Sequence, residues 1–532
     1  MTESKFSVMA EAIREAYKAG QEDETLEPIV LVNKQGEPIG RFQKGDWVIF
    51  YNIRGEREVE LTQSLTEEEF NHFSVKPELK INLVTMIEYH PDLKVKVAFP
   101  PLGQIKDTLS EVLGKHGIRQ IKISESEKAI HIGYFFNGKN DKIFPGEERI
   151  IIPSPENIKN YDQKPEMSIS QVSRAVISKI WDDRYDFILV NFANVDVVGH
   201  IEDEQAVKKA VEAVDHCTGQ IVEEAKKSGM TVVLTADHGT VEDWLYPEGT
   251  INTGHTRSPV PFILIDPDFK SKTEVNLNQD GELSDVAPTI LELFGLSKPE
   301  SMTGKSLIQN SSFIIKKQNR RILLLILDGW GLRDRKEGNL IVQSNTPNFD
   351  HLWKDFPSTQ LQAAGETVGM PSGTVGNSEA GHLHLGAGRR IYSDRVRIDR
   401  AIEDGSFFKN EAFLQAMNEA RKNKKSLHLL GIVSHYSSHG TIKHLFALLK
   451  MARDLGLKDV FIHSFLGRRG EKPESGAVYI EKVYQEAKKL EVGRIVSVIG
   501  RYWAMDREEN WNRVEKTYRM LIYGEGRHLI ED

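Results

Sequence analysis

An α/β protein of two domains is what this sequence predicts, on three observations. Short apolar runs such as Ile322-Leu323-Leu324-Leu325-Ile326-Leu327 and Thr231-Val232-Val233-Leu234-Thr235 have the length of buried parallel strands, too short for a membrane span. Amphipathic, helix-like stretches alternate with them, the pattern that builds a mostly parallel sheet with helices on its faces. At 532 residues the chain is too long for a single core, so two domains are the default.

Composition narrows the function. With 39% hydrophobic and 28% charged residues, no long apolar run and no signal-like N-terminus, the chain is expected to be soluble and cytoplasmic, without a membrane partner. The single cysteine, Cys217, excludes an intrachain disulfide and a thiolate metal cluster. Any metal must therefore be held by His, Asp or Ser. A net charge of −9 argues against non-specific nucleic-acid binding.

Taken in order, residues 6–20 read as an amphipathic helix stopped by glycine, and 29–32 and 47–52 as strands. Arg54-Gly55-Glu56-Arg57 follows. If the next residues are helical, Arg54 and Arg57 share a face, a fork suited to phosphate or carboxylate; the same pair also reads as a solvated basic turn. Residues 94–101 are extended and end in a proline pair, a crossing between domains. Residues 107–116 read as a helix, 120–124, 129–136 and 147–153 as strands, 171–181 as a helix, and 186–191 as a strand.

Directly beyond that strand lie Asp196 and His200, at a spacing that puts both on one helical face and within reach of one metal. The 231–235 strand ends at Asp237-His238, and His255 stands in the loop before the 260–265 strand. Asp328 closes the 322–327 strand, facing the crevice where open α/β sheets bind ligands. Ser378, in Thr374-Val375-Gly376-Asn377-Ser378-Glu379-Ala380-Gly381-His382, sits at a turn into a helix N-terminus, the position of an exposed nucleophile beside anion-binding N–H groups. Each histidine singly reads as an ordinary residue; repetition at strand ends points to a shared site. Hard oxygen and imidazole ligands favour Mn²⁺ or Zn²⁺ over Ca²⁺, and a metal pair of this kind deprotonates a serine and clamps a transferring phosphoryl group.

Leu327-Asp328-Gly329-Trp330-Gly331, Gly376-Asn377-Ser378-Glu379-Ala380-Gly381-His382, the 191–200 stretch, Thr235-Ala236-Asp237-His238-Gly239 and Gly254-His255-Thr256 resemble, in detail, the cofactor-independent phosphoglycerate mutases of the alkaline phosphatase superfamily. The resemblance covers nearly the whole chain, in rotated order: read from 319 to 532 and then from 3 to about 309, it is similar to one continuous family member. It implies a circular permutation, with residues 310–318 as the join and with 523–526 and 6–20 as two sides of one cut loop.

The resemblance implies interconversion of 3-phosphoglycerate and 2-phosphoglycerate through a phosphoserine at Ser378, with no 2,3-bisphosphoglycerate required. It implies two divalent metal ions, Mn²⁺ foremost with Zn²⁺ or Co²⁺ as alternatives. Asp328, Ser378, Asp237 and His238 would hold one, and Asp196, His200 and His255 the other. Lys128 would stand between serine and phosphate, and Arg54, Arg57, Arg501, Arg507, His439 and Arg469 would bind the substrate, a small-molecule phosphoglycerate, in a monomer. The expected domains are a metal-binding, phosphatase-like domain over 103–390 and a substrate domain made of 1–102 and 391–532. Two motifs depart from the family pattern. Gly467-Arg468-Arg469-Gly470 stands where the family has Asp-Gly-Arg-Asp, so a proton-moving aspartate is replaced by Gly470, with Glu471 or His435 as candidate substitutes. The loop 434–441, around His439, also differs. A metal-dependent phosphatase, or another phosphomutase of the superfamily, is the alternative.

Overall fold

Most of the apolar runs become strands, numbered here along the chain. They are β1 (Ile29–Val32), β2 (Trp47–Phe50), β3 (Asn82–Ile87), β4 (Lys96–Phe99), β5 (Gln120–Glu125), β6 (Glu147–Ile152), β7 (Phe187–Phe192) and β8 (Thr231–Thr235). After them come β9 (Val260–Ile265), β10 (Gly281–Glu282), β11 (Ile322–Leu327), β12 (Ser358–Gln362), β13 (Leu427–Ile432), β14 (Val460–Leu466), β15 (Arg494–Gly500) and β16 (Arg527–Ile530). The computed structural model describes residues 7–76, 78, 79, 81–156, 158–269, 272–309, 320–435, 437–467, 472 and 474–530. The chain divides into two units, Met1–Pro101 with Arg397–Asp532, and Leu102–Val396.

The second unit is built on an eight-stranded sheet of order β10-β12-β9-β8-β11-β7-β5-β6. From β8 to β6 every pairing is parallel, and β9 joins antiparallel to both β8 and β12. Strands β7, β8 and β11 are buried along their whole length, which is why their sequences are continuous apolar runs and not alternating ones. Register aligns Ile326 of β11 with Asn191 of β7 and Thr235 of β8, so these three strands end level with one another. The helix Glu204–Lys227 covers this core with Val207, Val211, Val214 and Ile221, all buried. It is started by the Asp203 carboxylate, which accepts from the N–H groups of Gln205 and Ala206, and Lys226 and Lys227 close its last turn, where the helix dipole favours cations.

The first unit has a sheet of order β16-β1-β15-β14-β13-β2-β3-β4, parallel throughout except where β1 meets β15. Its two chain segments share this sheet: β1 pairs with β16, Ile29 beside Arg527, and β2 with β13. The helix Val8–Lys18, capped by Ser7, packs on the helix Gly476–Leu490.

One local expectation is overturned, and one condition is not met. Residues 129–136 are not a strand: a 3₁₀ turn at Ser126–Lys128 leads into a π-helical turn at His131–Phe135. The alternation of apolar residues there fits either structure over so short a span, and packing against the helix Ser378–Ala387 favours the helical form. Arg54 and Arg57 do not share a helical face, because the helix that follows them begins only at Val59.

Candidate metal centre and active site

The level ends of β7, β8 and β11 place Asn191, Asp237 and Asp328 side by side, and the helix Asn194–Gly199 after β7 brings up Asp196. Gly329 follows Asp328 with φ +82°, and a Cβ there would lie 2.8 Å from the Asp196 backbone nitrogen, so only glycine lets the two loops close. Ser378 opens the helix Ser378–Ala387, whose N-cap Asn377 accepts from the Ala380 N–H at 2.8 Å. Gly381 on that helix has a similar role: a Cβ would sit 2.7 Å from that of Asp237.

Ser378 Oγ lies 2.8 Å from Lys128 Nζ, 2.9 Å from His238 Nε2 and 3.2 Å from Asp328 Oδ1. Lys128 Nζ also donates to Asp196 Oδ2 at 2.7 Å and Asp328 Oδ1 at 2.8 Å. His200 Nε2 and His255 Nε2 approach Asp196 Oδ1 to 3.4 and 3.2 Å, with Thr253 O on His200 Nδ1 and Gly376 O on His255 Nδ1. Both Nδ1 atoms therefore donate, and both Nε2 atoms are directed at Asp196, where a shared metal would sit.

The ligand atoms of Asp196, His200 and His255 fall within 4.8 Å of one another, as do those of Asp196, His238 and Asp328, and those of Asp237, Asp328 and His382. The structure thus brings together Lys128, Asp196, His200, Asp237, His238, His255, Asp328 and Ser378. His382 and Asn191 join them without having been singled out as site residues. His382 stands one helical turn after Ser378, a spacing that could have flagged it, and Asn191 Nδ2 donates to Asp328 Oδ2 at 2.8 Å.

Burial disfavours the charged forms here, but Lys128 and His238 more than offset it and hold the Asp196 and Asp328 carboxyls below the usual carboxylate range. Against the same desolvation, Asp328, Asp196 and Asp237 keep the Lys128 ammonium above its ordinary value, and Asp237 and Asp196 push His238 up to about 10. Three buried carboxylates face two cations, Lys128 and the raised His238, and Asp237 Oδ2 accepts no well-formed hydrogen bond among the described residues, His382 Nδ1 lying 3.2 Å away but meeting Ser378 O at 2.9 Å. Negative charge in excess of its partners, with an under-satisfied carboxylate oxygen, fits a cation-binding site.

In the other unit, Glu56 gathers Arg54 and Arg507, its Oε1 lying 3.1 Å from each. Arg57 Nη1 donates to Met505 O at 3.0 Å, and Arg501 Nε lies 3.1 Å from Glu24 Oε1. His439 is buried, its Nδ1 3.2 Å from Glu58 Oε1. Arg469, with Arg468, Gly470 and Glu471, lies outside the described residues.

A cluster of Asp and His side chains able to hold a metal at the end of a parallel sheet defines a class, and the comparison with known families agrees. The metalloenzyme superfamily profile matches residues 24–298, more than half of the chain, and the chain belongs to that superfamily. A second profile, described as the N-terminus of BPG-independent phosphoglycerate mutases, matches residues 398–532. The chain is 44% identical over 304 residues to the 2,3-bisphosphoglycerate-independent phosphoglycerate mutase of Thermomicrobium roseum, covering 56% of this chain and 57% of the relative. With the enzyme of the same name from Methanococcoides burtonii it shares 43% identity over 305 residues, 57% of this chain and 58% of the relative. The chain thus spans little more than half the length of the curated relatives it matches. A solved structure of Leishmania mexicana phosphoglycerate mutase at low cobalt concentration shares 28% identity over 52% of this chain and 53% of that one, with a TM-score of 0.37, too low to speak for the fold.

Proposed function

We propose that this chain interconverts 3-phosphoglycerate and 2-phosphoglycerate through a phosphoserine at Ser378, without 2,3-bisphosphoglycerate. The observation that carries the reading is the Ser378 hydroxyl held by Lys128 and His238 amid three buried carboxylates. The names of the relatives supply the substrate.

Lys128 and His238 hold Ser378 Oγ for in-line attack on phosphorus; the P–O bond to Ser378 forms as the bond to the glycerate oxygen breaks. Lys128 then faces the phosphoryl oxygens, and the helix N-terminus at Ser378 adds a favourable dipole. The glycerate returns its other oxygen to phosphorus, restoring Ser378. Asp328, Asp237, His238 and Ser378 would hold one divalent ion and Asp196, His200 and His255 a second, Mn²⁺ foremost; when bound, they supply charge neutralisation and acidify the serine. Arg54, Arg57, Arg501, Arg507 and His439 would recognise the substrate's phosphate and carboxylate, which suit guanidinium forks, and Arg469 would act with them. The unit of Leu102–Val396 is then the phosphatase-like domain and the other the substrate domain. A rotated order accounts for a profile named for an N-terminus falling at residues 398–532. We place the protein in the cytoplasm as a monomer; no described helix is long and apolar enough to cross a membrane.

Incubation with 3-phosphoglycerate and Mn²⁺, followed by ³¹P NMR, tests this. The expected product is 2-phosphoglycerate, with phosphate trapped on Ser378 by acid quench. Free phosphate in its place would establish the phosphatase alternative, which the loss of the family aspartate at Gly470 favours.

A further inference from the structure

The buried acid nearest His439 has no part in the reading so far. Glu58 is fully buried, and both of its oxygens are engaged. Oε1 accepts from Asn52 Nδ2 at 2.7 Å and lies 3.2 Å from His439 Nδ1; Oε2 accepts from the Arg57 N–H at 3.1 Å. The orientation of Asn52 follows from its other contact, because its Oδ1 accepts from the Ile432 N–H at 2.8 Å, which leaves only the NH₂ group to meet Glu58. A carboxylate with donors on both sides is an acceptor at Oε1, so His439 Nδ1 must carry a proton. Its Nε2 is then the free ring nitrogen, and among the described residues it has no hydrogen-bond partner. The loop that carries His439 is pinned as well: the Ile53 N–H donates to His439 O at 2.7 Å and the His439 N–H to Ser437 Oγ at 3.2 Å.

A histidine held at Nδ1 by a buried carboxylate, with Nε2 unpartnered among the described residues, is the arrangement of a proton carrier with its tautomer set. We infer that Glu58, itself oriented by Asn52, is a positioning residue that fixes His439 for proton exchange with the glycerate hydroxyls. This rests on the mutase reading. The cycle begins with His439 as the imidazolium facing Glu58 and with Ser378 deprotonated: as the bond from Ser378 to phosphorus forms and that to the glycerate oxygen breaks, the leaving oxygen takes the Nε2 proton. In the second half-reaction the attacking hydroxyl gives its proton to the freed Nε2 as the P–O bond to Ser378 breaks, which restores the imidazolium and the deprotonated serine, so protons balance over the cycle. Of the groups the sequence offered for this work, His435 is exposed and Glu471 lies outside the described residues.

Glu58→Gln is the diagnostic change. An amide with its oxygen toward His439 sets its NH₂ against the Arg57 N–H; turned the other way it sets that NH₂ against Asn52 and His439. The first orientation leaves the imidazole a weaker, uncharged acceptor at the expense of the Arg57 contact and the second removes the acceptor, so the carboxylate that fixes the ring is lost in both. The expected result is a fall in kcat of about 10²-fold, KM within about threefold, and partial rescue by Glu58→Asp. The ¹⁵N-histidine spectrum of the Zn²⁺-loaded wild-type protein, with His439→Gln identifying the signal, should show Nδ1 protonated, and Glu58→Gln should lose that signature. A wild-type ring protonated at Nε2 alone overturns the proposal whether or not Glu58→Gln folds, as does a kcat within twofold of wild type. If wild type yields no 2-phosphoglycerate, the mutase reading fails, while the spectrum still decides whether Glu58 sets the tautomer.

Discussion

Replacing Lys128 by methionine keeps most of the side chain's volume and deletes the ammonium that Asp196, Asp328 and Ser378 share at 2.7 to 2.8 Å. In the metal-free protein this takes from two buried carboxylates the nearer of the two cations they share, the other being His238 at 3.5 to 3.6 Å. Breaking a buried pair by removing one partner costs about 3–5 kcal/mol. Unfolding entropy of about 2.1 cal/mol/K per residue, over the roughly 300 residues of Leu102–Val396, is about 0.6 kcal/mol/K, so the unit should melt about 5–8 °C lower. The assay is differential scanning calorimetry in chelator and again in excess Mn²⁺. Metal should raise the melting temperature of Lys128→Met more than that of wild type, because cations then meet carboxylates that no lysine is neutralising. Turnover should stay at least about 10²-fold down even with metal, for want of the charge that faces the phosphoryl group. A variant as stable as wild type in chelator would show that the carboxylates are not in excess, and the argument for cation binding from unbalanced charge would fall.

Asn377→Ala removes the cap of the Ser378–Ala387 helix and should cost about 1 kcal/mol, read from the urea midpoint and largely recovered in Asn377→Asp. If two ions bind as proposed, Asp196→Asn should abolish the one assigned to Asp196, His200 and His255 while leaving one bound ion per chain, measured by elemental analysis after gel filtration. His384, buried with Nδ1 on Ala380 O and Nε2 accepting from the Ile391 N–H, is held by desolvation at about 4. Its folded value lies below the unfolded one of about 6.5, so the unfolded chain binds the extra proton. Stability is full above that pH and is lost as pH falls from about 6.5 toward 4. Denaturation series should show wild type losing about 3 kcal/mol more than His384→Gln across that window; parallel curves would contradict this.

The strands that carry the site were legible because each is buried on both faces, and such burial leaves the same mark at every position of the run. Asp328, Asp237 and Asp196 were legible as neighbours for a second reason: in a parallel sheet consecutive strand ends line up on one edge, so a ligand just past β7 or β8 lands beside one past β11. Residues 129–136 were misread because their periodicity reports burial without choosing between a strand and a helical turn. Glu58 shows where this kind of reading stops. It follows two arginines in a run of charges that looks solvated, and its partner His439 is 381 positions away. Burial is recorded in an element's own neighbours, whereas the pairing of an acid with its base belongs to two elements and leaves no periodic trace in either. The same limit explains why the under-satisfied oxygen of Asp237, a local sign of a cation-binding site, had to be found in three dimensions although the residue itself stood out in the sequence.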